Sequence, residues 1–204
     1  MILDFGCGEG SDWLKRFGGG NTVGIDVDAT KISRAKKLLQ DGTNFIICDG
    51  KHLPFKDKCF TYIHIGGVLH HLPDFGQVLG EINRVLSGGL DIEEAVDNYP
   101  PFAIARRLVS KWQGCEIKSL FRSSQLVSEI ENYFQIEQIE YNFLTLPSLL
   151  LSYFRIEPKI CRQLNSAISL RLKTWGLVKY FAVWVKILAY NHRHPENARF
   201  CWWR

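Results

Sequence analysis

The stretch ILDFGCGEGS, residues 2–11, constrains this chain more than any other: an apolar run carrying one acid ends in three glycines at alternate positions. Such a run reads as a strand that enters a tight turn, because glycine alone takes left-handed backbone conformations freely and lets a ligand approach the main chain. Ser11 is a plausible N-cap for a short helix through Phe17. Thr22–Asp26 (TVGID) is a second short strand, and Asp28 or Thr30 opens a helix with Ile32, Ala35 and Leu39 along one face. Asn44–Cys48 and Phe60–Ile65 follow as third and fourth strands. Val78, Leu79, Ile82, Val85 and Leu86 mark an amphipathic helix stopped at Gly88-Gly89. A fifth strand over Leu90–Ala95 carries acids. Strands alternating with helices predict a mostly parallel sheet covered on both faces, an α/β fold, with the loops after each strand gathered along one edge.

That edge collects the residues able to do chemistry. It holds Gly6, Gly8 and Gly10 after the first strand, Asp26 after the second, Asp49-Gly50 after the third, and Gly66-Gly67 with VLHHLPD (68–74) after the fourth. Asp26 lies eighteen residues beyond Gly8, the separation at which an acid closing a second strand meets the hydroxyls of a ribose. Its two acceptor oxygens suit a diol, and Asp49 suits an exocyclic amine such as adenine presents. A single acid of this kind is usually a turn-former or a helix cap; several at successive strand ends point to a nucleoside. A dinucleotide fold is the rival, but its G-x-G-x-x-G fingerprint fails here, where the glycines run G-x-G-x-G.

DFGCGEG, VGIDVD, ICDGKHLPF, FTYIHIGGVLHHLPD and EINRVLSGGL, in this order, resemble the successive motifs of class I S-adenosylmethionine-dependent methyltransferases. The likeness is to the branch that contains quinone-biosynthesis and other small-molecule enzymes. It is strong over residues 1 to about 95 and weaker beyond. The resemblance implies a Rossmann-like seven-stranded sheet, mostly parallel, with an antiparallel last strand beside the fifth. It implies S-adenosyl-L-methionine as cofactor, with Asp4, Gly6, Gly8 and Gly10 beside the methionine moiety. Asp26 would bind the ribose, Asp49 the adenine amine, and Val27 and Gly50 would line the adenine slot. His70 and His71 stand where the family's substrate cavity begins. Either is a candidate base for an acceptor that must lose a proton, since histidine titrates near neutral pH; either is also a candidate for plain packing. His64, inside the fourth strand, reads as a satisfied core or sheet-face residue, and Asp74 as the cap of the helix that starts near Phe75.

Composition removes several other classes. The six cysteines include no C-x-x-C pair, so neither a zinc site nor a redox dithiol is expected and no metal ligands are assigned. The longest apolar run, Gly176–Tyr190, contains Lys179 and Lys186 and is shorter than the roughly 20 residues of a spanning helix. The N-terminus does not read as a signal peptide, and a cytoplasmic protein is expected. NYPPF (98–102) differs in spacing and position from the Asn-Pro-Pro-aromatic motif of amino-methylating enzymes.

Charge is unevenly distributed. Residues 1–150 carry a net −4, and residues 151–204, with ten Lys and Arg against two acids, carry +8. The expected organisation is a cofactor-binding core over 1–142, an apolar and basic helical insert or lid over 143–176 between strands six and seven, and a final strand with a basic aromatic tail over 177–204. Strand six is expected at Phe134–Asn142 and strand seven at Tyr180–Tyr190. A small-molecule or lipid-like acceptor is expected; an apolar, cationic cover favours an acidic or lipid-like one over a cationic one, or peripheral contact with an anionic membrane surface. Nucleic acid is the lesser alternative, resting on Arg199, Trp202, Trp203 and Arg204. Because the family's covering helices usually precede the first strand, which here starts at Met1, a fragment, or a cofactor-binding subunit that needs a partner, stands as the second reading.

Overall fold

In the computed structural model, which describes residues 1–39, 42–98, 104, 107, 121–142 and 184–191, the ILDF run forms β1 (Ile2–Phe5) near the middle of a seven-stranded sheet. β2 (Thr22–Asp26) and β4 (Phe60–Gly66) flank it in parallel, and β3 (Asn44–Ile47) pairs parallel outside β2. On the other side β5 (Leu86–Ala95) pairs parallel with β4. β7 (Trp184–Asn191) lies antiparallel between β5 and β6 (Phe134–Asn142), giving the order β3-β2-β1-β4-β5-β7-β6. The antiparallel last strand inserted beside the fifth is therefore as expected. Residues 143–183 and 192–204, which include the expected insert, most of its basic charge and the tail, lie outside the described residues, as does most of NYPPF.

Strand alternation gives the sheet two unlike faces. On one, Leu3, Phe5, Ile63, Ile65, Leu90 and Ile92 form the main core with α3 (Gly76–Val85) and α4 (Ser123–Glu131). Each helix presents an apolar stripe to it: Val78, Leu79, Ile82 and Val85 from α3, Leu126 and Ile130 from α4. The opposite face carries Asp4, His64 and Asp91 side by side, because Asp4 pairs with His64 and His64 with Asp91 in the strand registers. α1 (Asp12–Phe17) covers this row with Trp13, which stacks on His64 with ring centroids 5.0 Å apart. Leu14 of α1, Ile32 of α2 (Ala29–Leu38) and Cys7 make a smaller core on the same side.

The caps of α1 and α2 follow the sequence reading. Ser11 Oγ accepts from Leu14 N at 3.0 Å to start α1, and Asp28 Oδ1 accepts from Thr30 N and Lys31 N to start α2. Asp74 is not the cap of α3 as expected: Phe75 stands there without a side-chain cap bond, and Asp74 Oδ1 accepts from Gly76 N, the first residue of the helix. At the head of α4 Arg122 stands at the cap, its N–H donating to Gln125 Oε1.

One expected boundary is wrong. Gly88-Gly89 do not stop α3: the helix ends at Val85 and β5 begins at once with Leu86. Lys58 takes over the stopping role, its ammonium donating to Asn83 O and Leu86 O at 2.6 and 2.9 Å. The glycine pair instead serves a β-bulge, where the β4–β5 register shifts between Phe60 and Tyr62. A Cβ on Gly88 would sit 2.3 Å from the backbone oxygen of Thr61, so no other residue fits there. Gly88→Ala is expected to destabilise the fold by about 1–3 kcal/mol or more, as overpacking does. Gly20→Ala, where a Cβ meets nothing within 4 Å, is expected to leave the urea midpoint nearly unchanged; equal midpoints for the two variants would contradict the bulge assignment.

Candidate active site

The loop after β1 is built from its three glycines. Gly6, Gly8 and Gly10 have φ of 73°, 57° and 102°, values that exact strain from any side chain. Cys7 N donates to Ile25 O and Gly10 N to Cys7 O, so the turn is held by the neighbouring strand and by itself. A Cβ on Gly6 would collide with Val68 Cγ2 at 2.4 Å, whereas one on Gly8 would meet nothing within 4 Å. The loop is thus packed on one side and open at Gly8.

Asp26, the last residue of β2, holds that loop from the side. Its Oδ2 accepts from Gly8 N and its Oδ1 from Asp28 N, both at 2.9 Å. Each oxygen accepts one such bond and keeps a further lone pair, which leaves the carboxylate able to receive a diol while bracing the glycine turn. Val27 beside it is 73% exposed, an apolar surface at the strand ends. Asp49 and Gly50 follow β3 in a turn where Asp49 Oδ1 accepts from Lys51 N and Asp49 O from His52 N. Gly50 is required by packing, since a Cβ there would lie 2.2 Å from Phe5 Cζ. Asp26, Val27, Asp49 and Gly50 therefore stand at the ends of the paired strands β2 and β3, beside the open glycine turn.

Asp4 is 1% exposed and lies beneath the loop, its Oδ2 accepting from Ser11 Oγ at 2.7 Å. Ser11 thereby links the buried carboxyl to the first turn of α1. Burial pushes the Asp4 carboxyl up to about 6, against the lowering effects of His64 and the Ser11 bond. The Cys7 thiol is pushed far up by burial and by Asp4 and Asp26, so it is no thiolate nucleophile.

His70 and His71 sit in a single 3₁₀ turn, Leu69–His71, after β4. His70 Nδ1 is 2.5 Å from Glu94 Oε1, and the His71 ring centroid is 4.1 Å from that of His70. Glu94 is wholly buried; it also accepts from Leu69 N at 2.7 Å and Ala95 N at 2.8 Å. Sequence reading does not find Glu94. Its one trace is the pair Glu93-Glu94 in a strand, where adjacent residues face opposite sides and one acid must enter the core. His64 is buried as expected, with Nδ1 3.3 Å from Asp91 Oδ2. Asp91 also accepts from Tyr62 OH at 3.2 Å and pairs with Lys186 at 3.3 Å. Burial opposes its ionisation, but His64 and Lys186 outweigh that and hold the carboxyl below its ordinary range. Among the described residues no three His, Cys, Asp or Glu side chains are grouped as metal ligands.

Comparison with known proteins bears on this edge directly. Residues 3–90 match the family model described as a methyltransferase domain. The chain is 30% identical over 151 residues to a demethylmenaquinone methyltransferase of Staphylococcus aureus, covering 69% of this chain and 60% of that one. It is 35% identical over 95 residues to the methyltransferase GfsG of Streptomyces halstedii, covering 43% and 34%. The chain thus spans about three-fifths and one-third of these relatives' lengths. Its fold is shared with a solved S-adenosylmethionine-dependent methyltransferase from Mesorhizobium loti (TM-score 0.63, 16% identity, 93% of this chain and 90% of that). One from Methanosarcina mazei is equally similar in fold (TM-score 0.62, 17% identity, 93% and 91%).

The raised Asp4 carboxyl has a measurable consequence. The folded chain keeps this proton to about pH 6, while the unfolded chain loses it near 3.8, so Asp4 favours folding below that lower value and loses this contribution as pH rises through 6. At neutral pH the burial costs about 3 kcal/mol by that shift. Asp4→Asn is expected to raise the urea midpoint at pH 7.5 and to flatten its fall between pH 4 and 6. An unchanged pH profile would contradict the buried, raised carboxyl.

Proposed function

We propose that the chain is a class I S-adenosylmethionine-dependent methyltransferase that transfers the methyl group of S-adenosyl-L-methionine to a small-molecule or lipid-like acceptor, with His70 as general base; the match of residues 3–90 to the methyltransferase-domain model, the methyltransferase relatives and the shared fold support it. The observation that carries the base assignment is the 2.5 Å contact of His70 Nδ1 with a Glu94 that is fully buried and bonded at both oxygens. The cofactor brings a methyl group already activated by its sulfonium. What is asked of this chain is to hold the adenosyl part, to align the acceptor with the methyl group, to exclude water, and to take a proton when the acceptor is a hydroxyl.

The open cradle at Gly8 fits the cofactor, since a Cβ there meets nothing within 4 Å and Asp26 stands against it. In this reading Asp26 receives the ribose hydroxyls, Asp49 the adenine amine, and Val27 with Gly50 the adenine faces. Asp4, Gly6, Gly8 and Gly10 shape the floor beneath the methionine arm. Glu94, as a carboxylate, accepts the Nδ1 proton of His70 and so leaves the Nε2 lone pair to face the acceptor. Proton transfer from an acceptor hydroxyl to His70 Nε2 raises its nucleophilicity while Glu94 stabilises the imidazolium that forms. His71, against the His70 ring, is the alternative base.

Support for a small, apolar acceptor comes from the demethylmenaquinone methyltransferase among the relatives and from the apolar, basic sequence of residues 144–175. No helix among the described residues is long and apolar enough to cross a membrane. Peripheral contact with an anionic surface is the reading that the +8 of residues 151–204 supports; binding to anionic vesicles no better than to neutral ones would sink it.

The reading is tested by turnover with a panel of quinol, phenol and lipid-amine acceptors. With an accepted hydroxyl substrate, His70→Ala is expected to lower kcat by about 10²–10⁴-fold with the KM for the methyl donor little changed. Glu94→Gln is expected to lower kcat in the same direction with the KM for the methyl donor little changed, because His70 Nδ1 loses the carboxylate that fixes the ring. Full activity in His70→Ala would contradict the assignment.

A further inference from the structure

The connection from β3 to β4 carries the turn at Asp49-Gly50, yet residues 48–59 form neither helix nor strand. A parallel sheet ordinarily spans such a crossover with a helix, whose own ladder fixes its shape. Here two side chains of α3 do that work. Arg84 uses all five of its N–H donors: Nε and Nη2 donate to the two carboxylate oxygens of Glu81 at 2.8 Å, Nη2 also to Leu53 O at 2.9 Å, and Nη1 to Phe55 O at 2.7 Å and Asp57 Oδ1 at 2.8 Å. Glu81 Oε2 in turn accepts from Leu53 N at 2.8 Å. The backbone of Leu53 is thus held through both its N–H and its carbonyl by one bidentate ion pair, the geometry in which such pairs are strongest. Arg84 holds the Glu81 carboxyl down at about 2, so the pair stays charged throughout the neutral range. Two motifs of the sequence, ICDGKHLPF and EINRVLSGGL, are joined by it.

Leu53 ends the turn that Asp49 begins. At the start of that turn Cys48 N donates to Asp26 O at 3.2 Å, and within it His52 N donates to Asp49 O at 3.1 Å. Gly50 lies on Phe5, where a Cβ would come within 2.2 Å. The turn therefore has three anchors: the close of β2, the ring of Phe5, and the Glu81–Arg84 pair. Asp49 Oδ1 accepts from Lys51 N at 3.0 Å, so the aim of the carboxylate follows the backbone of the turn. Arg84 itself stands in the last turn of α3, just before β5 begins. That is the edge of the sheet opposite the strand ends, and any influence of Arg84 on a ligand passes through the turn.

We propose that the Glu81–Arg84 pair positions the adenine end of the site, setting the turn 49–52 so that the Asp49 carboxylate meets the 6-amino group of the methyl donor's purine. The proposal rests on the methyl-donor reading and adds to it a positioning pair that touches no ligand. Selectivity for the amino group is then set from α3 as well as by Asp49, because a hydrogen bond weakens steeply once its donor and acceptor are displaced or misaligned.

The test is calorimetric titration of the full chain with S-adenosylhomocysteine and with its analogue carrying hydrogen in place of the 6-amino group. The wild type is expected to bind the first about tenfold or more tightly than the second, as a hydrogen bond to a charged acceptor contributes. Arg84→Lys keeps the charge but offers three donors without the planar fork, and Glu81→Gln keeps Arg84 while removing its anionic partner. Each is expected to cut the preference to about threefold or less, while the analogue binds within about threefold of its wild-type affinity. Ile130→Ala removes a buried side chain of α4, which leads into β6 at the edge of the sheet opposite β3. It is expected to lower the urea midpoint and leave the preference unchanged. A wild-type preference retained in either Arg84→Lys or Glu81→Gln, or a preference lost equally in Ile130→Ala, would overturn the proposal and leave the methyl-donor reading standing. A wild type that binds both ligands equally would overturn the amine assignment of Asp49 and this proposal with it. One that binds neither would overturn the methyl-donor reading and, with it, this proposal.

Discussion

Everything at the site depends on the alternation of side chains along the central parallel strands. Because successive residues of β1, β4 and β5 point to opposite faces, one face is an apolar core with α3 and α4 while the other carries the row Asp4, His64 and Asp91. The apolar face holds the sheet in place. The polar face puts buried acceptors directly beneath the strand ends. Burying such groups is unfavourable unless they are partnered, and the row is largely partnered: Ser11 donates to Asp4, and His64, Tyr62 and Lys186 meet Asp91. Among the buried side-chain atoms of the described residues, Asp91 Oδ1 has no hydrogen-bond partner. A sheet built only for stability would place apolar residues along this row.

The two carboxylate–imidazole pairs divide the edge between them. Glu94 and His70 belong to the core face and to the turn after β4; Asp91 and His64 belong to the other face and to β4 itself. Each acid fixes one ring nitrogen and so determines where the second nitrogen points. The glycines do the complementary work. At Gly6, Gly50 and Gly66 a side chain would collide with Val68, Phe5 and His64 respectively, while Gly8 opens on empty space. The loop is therefore packed against protein at Gly6 and open at Gly8.

Much of this was legible in the sequence, and the parts that were not have a common cause. Local signals sufficed for the glycine turn, for the caps Ser11 and Asp28, and for Asp26 at the close of β2, since each is decided within a few residues of chain. The order of the strands followed from the resemblance to known methyltransferases. Gly88-Gly89 misled because a glycine pair after an amphipathic helix has the same local appearance as a stop signal. Only the contact with Thr61 across the sheet reveals the bulge. Glu94 was hidden for the same reason: its bonds to Leu69, His70 and Ala95 join β5 to a turn some twenty-five residues earlier. His64 read as core and is buried, and its anchoring by Asp91 lies across a strand pairing.

The proposed methyl-donor nucleoside site lies at the β1 and β2 ends and is held by Asp26. Calorimetric titration of the wild type and Asp26→Ala with S-adenosylmethionine and, in parallel, with a nicotinamide dinucleotide tests it most directly. The wild type is expected to bind S-adenosylmethionine and not the dinucleotide, and the substitution to weaken binding at least tenfold by removing both the diol acceptor and the brace on Gly8. Tight dinucleotide binding without binding of the methyl donor, or undiminished binding by Asp26→Ala, would contradict it.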